Sequence, residues 1–302
     1  FELKEENIHS TANIFNLPLS YHYGIGSHGF SAWRELAAHI AASDWVLTGQ
    51  CATFPVLYHW RTVASTRAAA AVAQQLGDID KHMKSWQDAP EIRRRIEDLC
   101  SAPGEILLFL EHMPHTLTEW LSAQLTAPAS GSSQPLTQAL DFAETNLSQI
   151  NDFMYERGFV HFDAHFDNVL TDGKSLLLSD FGLALAEEFN LSVEEREFLK
   201  LHLKSYDRAT SASYLTHSVI AGLFGKAGWR ESLRNTLDEM SDSVPEPCAQ
   251  IIQTYGKITL ATDEFLEKLK QAPIGTEYPA AQLEHLLFEI ECAKIARFLG
   301  PF

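Results

Sequence analysis

The chain has 302 residues, 45% of them hydrophobic, and its 23 basic and 40 acidic side chains give a formal net charge of −17. That length can bury a sizeable core and divide into more than one unit, while so negative a surface argues against nucleic acid and anionic membrane as partners and favours cationic ones. Cys51, Cys100, Cys248 and Cys292 are far apart with no C-x-x-C pair, which argues against a disulfide framework or zinc site, and with no membrane-length apolar run or signal-like start the expected location is cytoplasmic.

Phe1-Glu2-Leu3-Lys4-Glu5 alternates apolar and polar residues, the pattern of a strand. Gly24-Ile25-Gly26-Ser27-His28-Gly29 fits G-x-G-x-x-G, yet a poor strand precedes it, and helical spacing follows where a phosphate loop needs a second strand and a lysine. It is expected to be a turn leading into a helix over residues 30–42, with Glu35 in its middle. Residues 54–60 read as a strand and residues 64–102 as helical throughout. Residues 105–113 read as a buried strand running into a linker. Residues 116–125 have helical spacing, residues 126–135 are small and polar and read as a loop, and residues 136–157 carry a 3.6 period through Leu140, Ala143, Leu147, Ile150 and Met154. Gly158 is placed to end that helix.

His161-Phe162-Asp163-Ala164-His165-Phe166-Asp167-Asn168 then matches H-x-D-x-x-x-x-N, and Asp180-Phe181-Gly182 matches D-F-G. Chance would place the first pattern in roughly 4% of chains this long, and adding the second at that separation multiplies the odds by about 10⁻³, so the two are read as one site. Between them, Val169-Leu170-Thr171 and Ser175-Leu176-Leu177-Leu178 are short apolar runs joined across Asp172-Gly173, a hairpin that would bring Asn168 and Asp180 side by side. An Asp in the first motif takes the proton of an attacking hydroxyl, and the Asn and the second Asp suit Mg²⁺ bridging phosphate oxygens.

At these residues the chain resembles the protein-kinase-like superfamily, which includes eukaryotic-type protein kinases and the aminoglycoside and choline phosphotransferases; the resemblance is specific between about residues 105 and 185. It implies an α+β, two-lobed fold: residues 1–113 as a small β-containing lobe with a helical insertion at about 64–102 and a hinge at 111–113, and residues 114–302 as a large, mostly helical lobe. It also implies ATP and Mg²⁺ as cofactors. Asp163 would be the catalytic base, with His161 and His165 in the same loop; Asn168 and Asp180 would hold Mg²⁺; backbone groups of Glu111, His112 and Met113 would meet the adenine edge; and Lys4, paired with Glu35, would contact the nucleotide phosphates. If Lys4 has that role, the phosphate-covering hairpin should lie before Phe1 or be abbreviated.

The acceptor is less sharply indicated. Asp180-Phe181-Gly182-Leu183-Ala184 resembles protein kinases, whereas His165, two residues after Asp163, resembles small-molecule phosphotransferases. No A-P-E anchor follows; instead Ser192-Val193-Glu194-Glu195 forms a capping box opening a helix to about residue 206. Further helices are expected over 212–224, 229–240, 249–269 and 280–299, a region where aminoglycoside-type enzymes carry an acidic acceptor pocket. A protein acceptor is narrowly favoured, with a cationic small molecule as the alternative, a pseudokinase scaffold as the third reading, and the helical insertion as the place for a protein partner.

Overall fold

A computed structural model describes residues 4–66, 72, 74, 77, 79–126 and 134–299. The fold is α+β: helices dominate, and the strands form three small antiparallel sheets. Residues 1–3 of the expected opening strand lie outside the described residues. Lys4 and Glu5 do not continue one, because Lys4 precedes a 3-10 turn, Glu5–Asn7, closed by the Asn7 N–H on the Lys4 carbonyl at 2.8 Å. Glu5 and Glu6 put negative charge in that first turn, where the helix dipole favours it.

Gly24 to Gly29 is a turn, as expected, and Ser31 starts α1 (Ala32–Leu47) by accepting from the N–H groups of Trp33 and Arg34. Glu35 therefore falls in the first turn of its helix and not at the middle. β1 (Leu57–Ala64) follows. Helices α2 (Ile79–Ser85) and α3 (Pro90–Ser101) come next, and β2 (Gly104–Leu110) returns to pair antiparallel with β1. Among the described residues the expectation of helix throughout 64–102 is corrected in three places, one of them Gly77, which is coil with φ 82°. β1 runs on to Ala64 because Gly104 continues its ladder. Helix also stops at 86–89, where Gln87 and Asp88 take left-handed backbone (φ 55° and 56°) and Pro90 opens a new helix, the one helical position where a missing N–H is harmless. Residues 67–71, 73, 75, 76 and 78 of that stretch, and 127–133 of the expected loop, lie outside the described residues.

β3 (His115–Thr116) leads into α4 (Leu117–Thr126) and α5 (Gln134–Glu156). Leu140, Ala143, Leu147, Ile150 and Met154 are all buried, so the predicted stripe is the face α5 gives to the core. β4 (Phe159–Val160), β5 (Val169–Thr171), β6 (Leu176–Leu178) and β7 (Leu185–Ala186) follow; β5 pairs with both β3 and β6, and β4 with β7. α6 (Val193–His202) begins with the full capping box of Ser192 and Glu195. It ends sooner than expected, because the Ser205 N–H folds back onto the His202 carbonyl and α7 (Tyr206–Phe224) starts anew. α8 (Trp229–Asp238), α9 (Glu246–Gln271) and α10 (Ala280–Leu299) complete the fold near their expected positions.

Trp45 of α1, Phe54, Phe153 of α5, Phe159 and Phe181 form a chain of ring contacts with centroids 5.3–6.1 Å apart. This apolar seam joins α1 to the β4–β7 region, and the Leu178 N–H adds a bond to the Thr53 carbonyl. Among the described residues no helix is long and apolar enough to cross a membrane, and the four cysteines are free.

Candidate functional site

The expected hairpin forms, with Val169 opposite Leu178 and Thr171 opposite Leu176, so that residues 172–175 make its loop in place of a two-residue Asp172-Gly173 turn. Its loop is secured by Asp172, whose Oδ1 accepts the N–H groups of Lys174 and Ser175, each at 2.9 Å. At the open end both the N–H and the hydroxyl of Ser179 donate to the Asn168 carbonyl, at 2.9 and 3.0 Å. Asn168 and Asp180 are thereby held at the ends of adjacent strands.

His161 ties this pair to the preceding loop. Its Nε2 donates to the Ser179 carbonyl at 3.0 Å and its Nδ1 accepts the Asp163 N–H at 3.2 Å, which requires the neutral ring. Burial drives its pKa down to about 3, in keeping with that form. The loop is braced from below by a residue that sequence reasoning missed. Asp207, in the first turn of α7, accepts the N–H groups of His161 (2.7 Å) and Phe162 (3.1 Å), and Phe162 between them has a left-handed backbone (φ 64°). Burial pushes the Asp207 carboxyl up to about 7, opposed by those two N–H groups.

Asp163 is half-buried, and burial raises its carboxyl above the usual range; Asp180 adds to this, while His165 and the Asn168 amide oppose it. Asn168 Nδ2 donates to the Asp163 carbonyl at 2.9 Å and to its Oδ2 at 3.3 Å, so its amide oxygen remains for a ligand. Asp180 is exposed, with a left-handed backbone (φ 65°), while Phe181 beside it is buried against His39, Phe54, Phe159 and His161. A side chain at Gly182 would sit 3.3 Å from Asp180 Oδ1 and 3.8 Å from Glu35 Oε2, so its bare backbone lets the two carboxylates share one cradle. This oxygen set fits a hard divalent cation. Among the described residues no three His, Cys, Asp or Glu cluster as a metal cage, and two protein oxygens completed by phosphate and water is how Mg²⁺ is usually held.

The glycine turn lies against this centre. Gly24 has φ +73°, and a Cβ there would meet Asp163 Oδ1 and Leu183 Cδ1, each at 3.3 Å. The adjoining segment is fastened by a contact between His22 Nδ1 and the Leu183 carbonyl (2.7 Å) and by the Phe30 N–H on the Gly182 carbonyl (3.4 Å). Its outer side is held by the α2–α3 segment: Trp86 Nε1 donates to the Ile25 carbonyl and Arg95 Nε to the Gly29 carbonyl, both at 3.2 Å. Helix α1 is fixed to the same body by Arg34, buried, which donates to Glu195 Oε1 and the Thr11 carbonyl, each at 2.8 Å.

Beyond Asp163 opens a cavity of about 690 Å³, bounded by the Tyr23–Gly26 segment, the Phe162–His165 loop and helices α7, α8 and α9. Tyr206, Thr210, Ser213 and His217 line it from one face of α7; Thr259, Thr262, Asp263, Leu266 and Lys270 line it from one face of α9. Spacings of three, four, seven and eleven residues put each set on a single helix face. Sequence reading took residues 206 onward as helix but had no signal for which face would be hollow.

The remaining expected site residues are placed as follows. His165 Nε2 faces Asp163 Oδ1 at 3.8 Å, and its Nδ1 accepts the Asp167 N–H. Glu111 directly follows β2, its N–H on the Val56 carbonyl and its Oε2 accepting the Val56 N–H; His112 and Met113 are coil as well. Lys4 is exposed at the head of its 3-10 turn. The chain matches no model of a known protein family and no curated protein.

Proposed function

We propose that the protein is a Mg·ATP-dependent phosphotransferase of two-lobed, protein-kinase-like build, in which residues 1–113 serve as the smaller lobe and residues 114–302 as the larger. The observation that carries this reading is the meeting of Asn168 with Asp163, the tie of Asn168 to Ser179 beside Asp180, and the opening of a cavity at Asp163. The acceptor hydroxyl enters from the cavity and is oriented by the Asp163 carboxylate. As its oxygen bonds to the γ-phosphorus, the bond from that phosphorus to the β,γ-bridging oxygen breaks, ADP departs, and the acceptor proton passes to Asp163. Burial makes Asp163 a stronger base than an exposed carboxylate. A divalent cation on Asn168 and Asp180 would neutralise phosphate charge, and the strand end at Glu111–Met113 would receive the adenine.

The sequence narrowly favours a protein acceptor; the cavity weighs towards a small molecule, since a hollow between large-region helices suits a compact ligand. A thermal-shift measurement tests nucleotide binding, because Mg·ATP at 100 times its Kd should stabilise the fold by about 2.7 kcal/mol. No shift would refute the proposal. With γ-labelled ATP and an acceptor, wild type should transfer label, and Asp163→Asn and Asp180→Ala should not; equal labelling by all three would remove the assigned roles.

A further inference from the structure

The net charge of −17 points to a cationic acceptor, but the cavity wall does not share that charge. Its lining carries two carboxylates, Asp163 and Asp263, against two bases, Arg230 and Lys270. At the end away from the catalytic loop those charges are already matched: Arg230 Nη2 donates to Asp263 Oδ1 and to Glu267 Oε1, each at 2.7 Å, and Lys270 reaches Glu267 at 2.9 Å. Arg230 also lies over the Trp229 ring at 5.1 Å, so the aromatic face best suited to a ligand cation already holds one. His217, between them, has its pKa lowered by burial first and by Lys226 second.

Much of the remaining wall is aromatic or aliphatic, and four of its hydroxyls are engaged. Tyr23 donates its hydroxyl to His202 Nε2 at 2.7 Å, the His202 Nδ1 proton being directed to the Phe198 carbonyl, and the Tyr278 hydroxyl pairs with Ser205 at 2.9 Å. These tyrosines offer ring surface to the cavity and keep their polar tips in the protein. Thr259 and Thr262 donate to carbonyls one turn back, each at 2.8 Å, which leaves methyl groups and acceptor lone pairs. Ser213 Oγ is buried without a protein partner among the described residues, on a side chain that lines the cavity.

Building on the phosphotransferase reading, we infer that the acceptor is a neutral hydroxyl compound with an aromatic or extended apolar body. Its body lies between the α7 and α9 faces, a hydrogen-bonding group meets Ser213, and the reacting hydroxyl points to Asp163. A polycation would need several uncompensated carboxylates here, and Asp263 is not one. Asp163 at the rim is left for the reacting hydroxyl.

The test is equilibrium binding to the full chain without nucleotide, so that it reads the cavity whether or not phosphate transfer occurs; failure of the kinase reading would appear separately as no Mg·ATP thermal shift. The probes are a set of neutral phenyl- and naphthyl-bearing alcohols, choline, and kanamycin as a polycation. The expected result is that the best neutral alcohols bind at least tenfold tighter than either cation. Ser213→Leu and Thr262→Phe, each filling the cavity and each checked for folding by circular dichroism, should weaken that binding at least tenfold. Tighter binding of choline or kanamycin, no binding of any neutral alcohol, or binding unchanged in a folded cavity-filling variant would overturn the inference. If neither variant folds, the order of the probes on wild type decides it.

Discussion

At the end of the cavity that meets the 161–168 loop, the candidate site residues are positioned by main-chain hydrogen bonds: Asp207 holds two consecutive N–H groups, His161 bridges two loops, and Asn168 is fixed through its own carbonyl. At the far end, helix faces present aromatic rings, methyl groups and a matched set of charges. Backbone-anchored chemistry tolerates little change, whereas a wall of side chains on two helices can be altered residue by residue. Rate and acceptor choice should therefore respond to different substitutions.

Acid should break the contrast most completely, because buried neutral imidazoles support the end that holds Asp163 and Asp180. Burial lowers His39 and His202 to about 4 and His161 to about 3 from 6.5. The unfolded chain then binds more protons between those values and 6.5, so stability is full above pH 6.5 and is lost as pH falls towards 4. At 1.36 kcal/mol per unit this is roughly 3 kcal/mol for each of His39 and His202. Asp207, raised to about 7, acts in the opposite sense, since protonation relieves its burial. The histidines outnumber it, and urea melts from pH 7 down to pH 4 should show a falling midpoint; a flat profile would contradict the burial described.

A sharper division comes from kinetics. Asp163→Asn should lower kcat about 10²–10⁴-fold while acceptor KM stays within about threefold, and Thr262→Phe should do the reverse, raising KM more than it lowers kcat. Interchanged effects would erase the distinction between the two ends. Asp207→Ala leaves two buried N–H groups unpaired, at about 1–3 kcal/mol each, and should lower both the urea midpoint and kcat. The smallest effect is expected from Gly24→Ala, about 1–2 kcal/mol for a left-handed non-glycine residue, with a modest fall in kcat because the new methyl abuts Asp163.

What could be read from the sequence was local. The hairpin, the two motifs it joins, the α5 stripe and the Ser192–Glu195 cap are set by spacings of a few residues, which hydrogen-bond geometry converts directly into structure. Asp207 was not legible: an acidic residue in a helix's first turn is normally explained by the dipole, and nothing marks it as the partner of N–H groups 45 and 46 positions earlier. The Arg34–Glu195 pair was hidden for the same reason, since Glu195 already had a role in its capping box. The alternation at Phe1–Glu5 misled at Lys4 because a period of two over five residues does not decide between a strand and a tight turn. The long helical expectation over 64–102 failed at 86–89, where a proline had more influence than its neighbours' helical preference.

Trp86 and Arg95 grip the outside of a turn whose inside touches Asp163, so the two helices around residues 79–101 act as a buttress and not as a detachable ornament. Anyone trimming the protein to a minimal version would be tempted to excise them. The cut would strip the Ile25 and Gly29 carbonyls of their donors and uncover Tyr21, and the slack would reach the Asp163 carboxylate through a single layer of backbone.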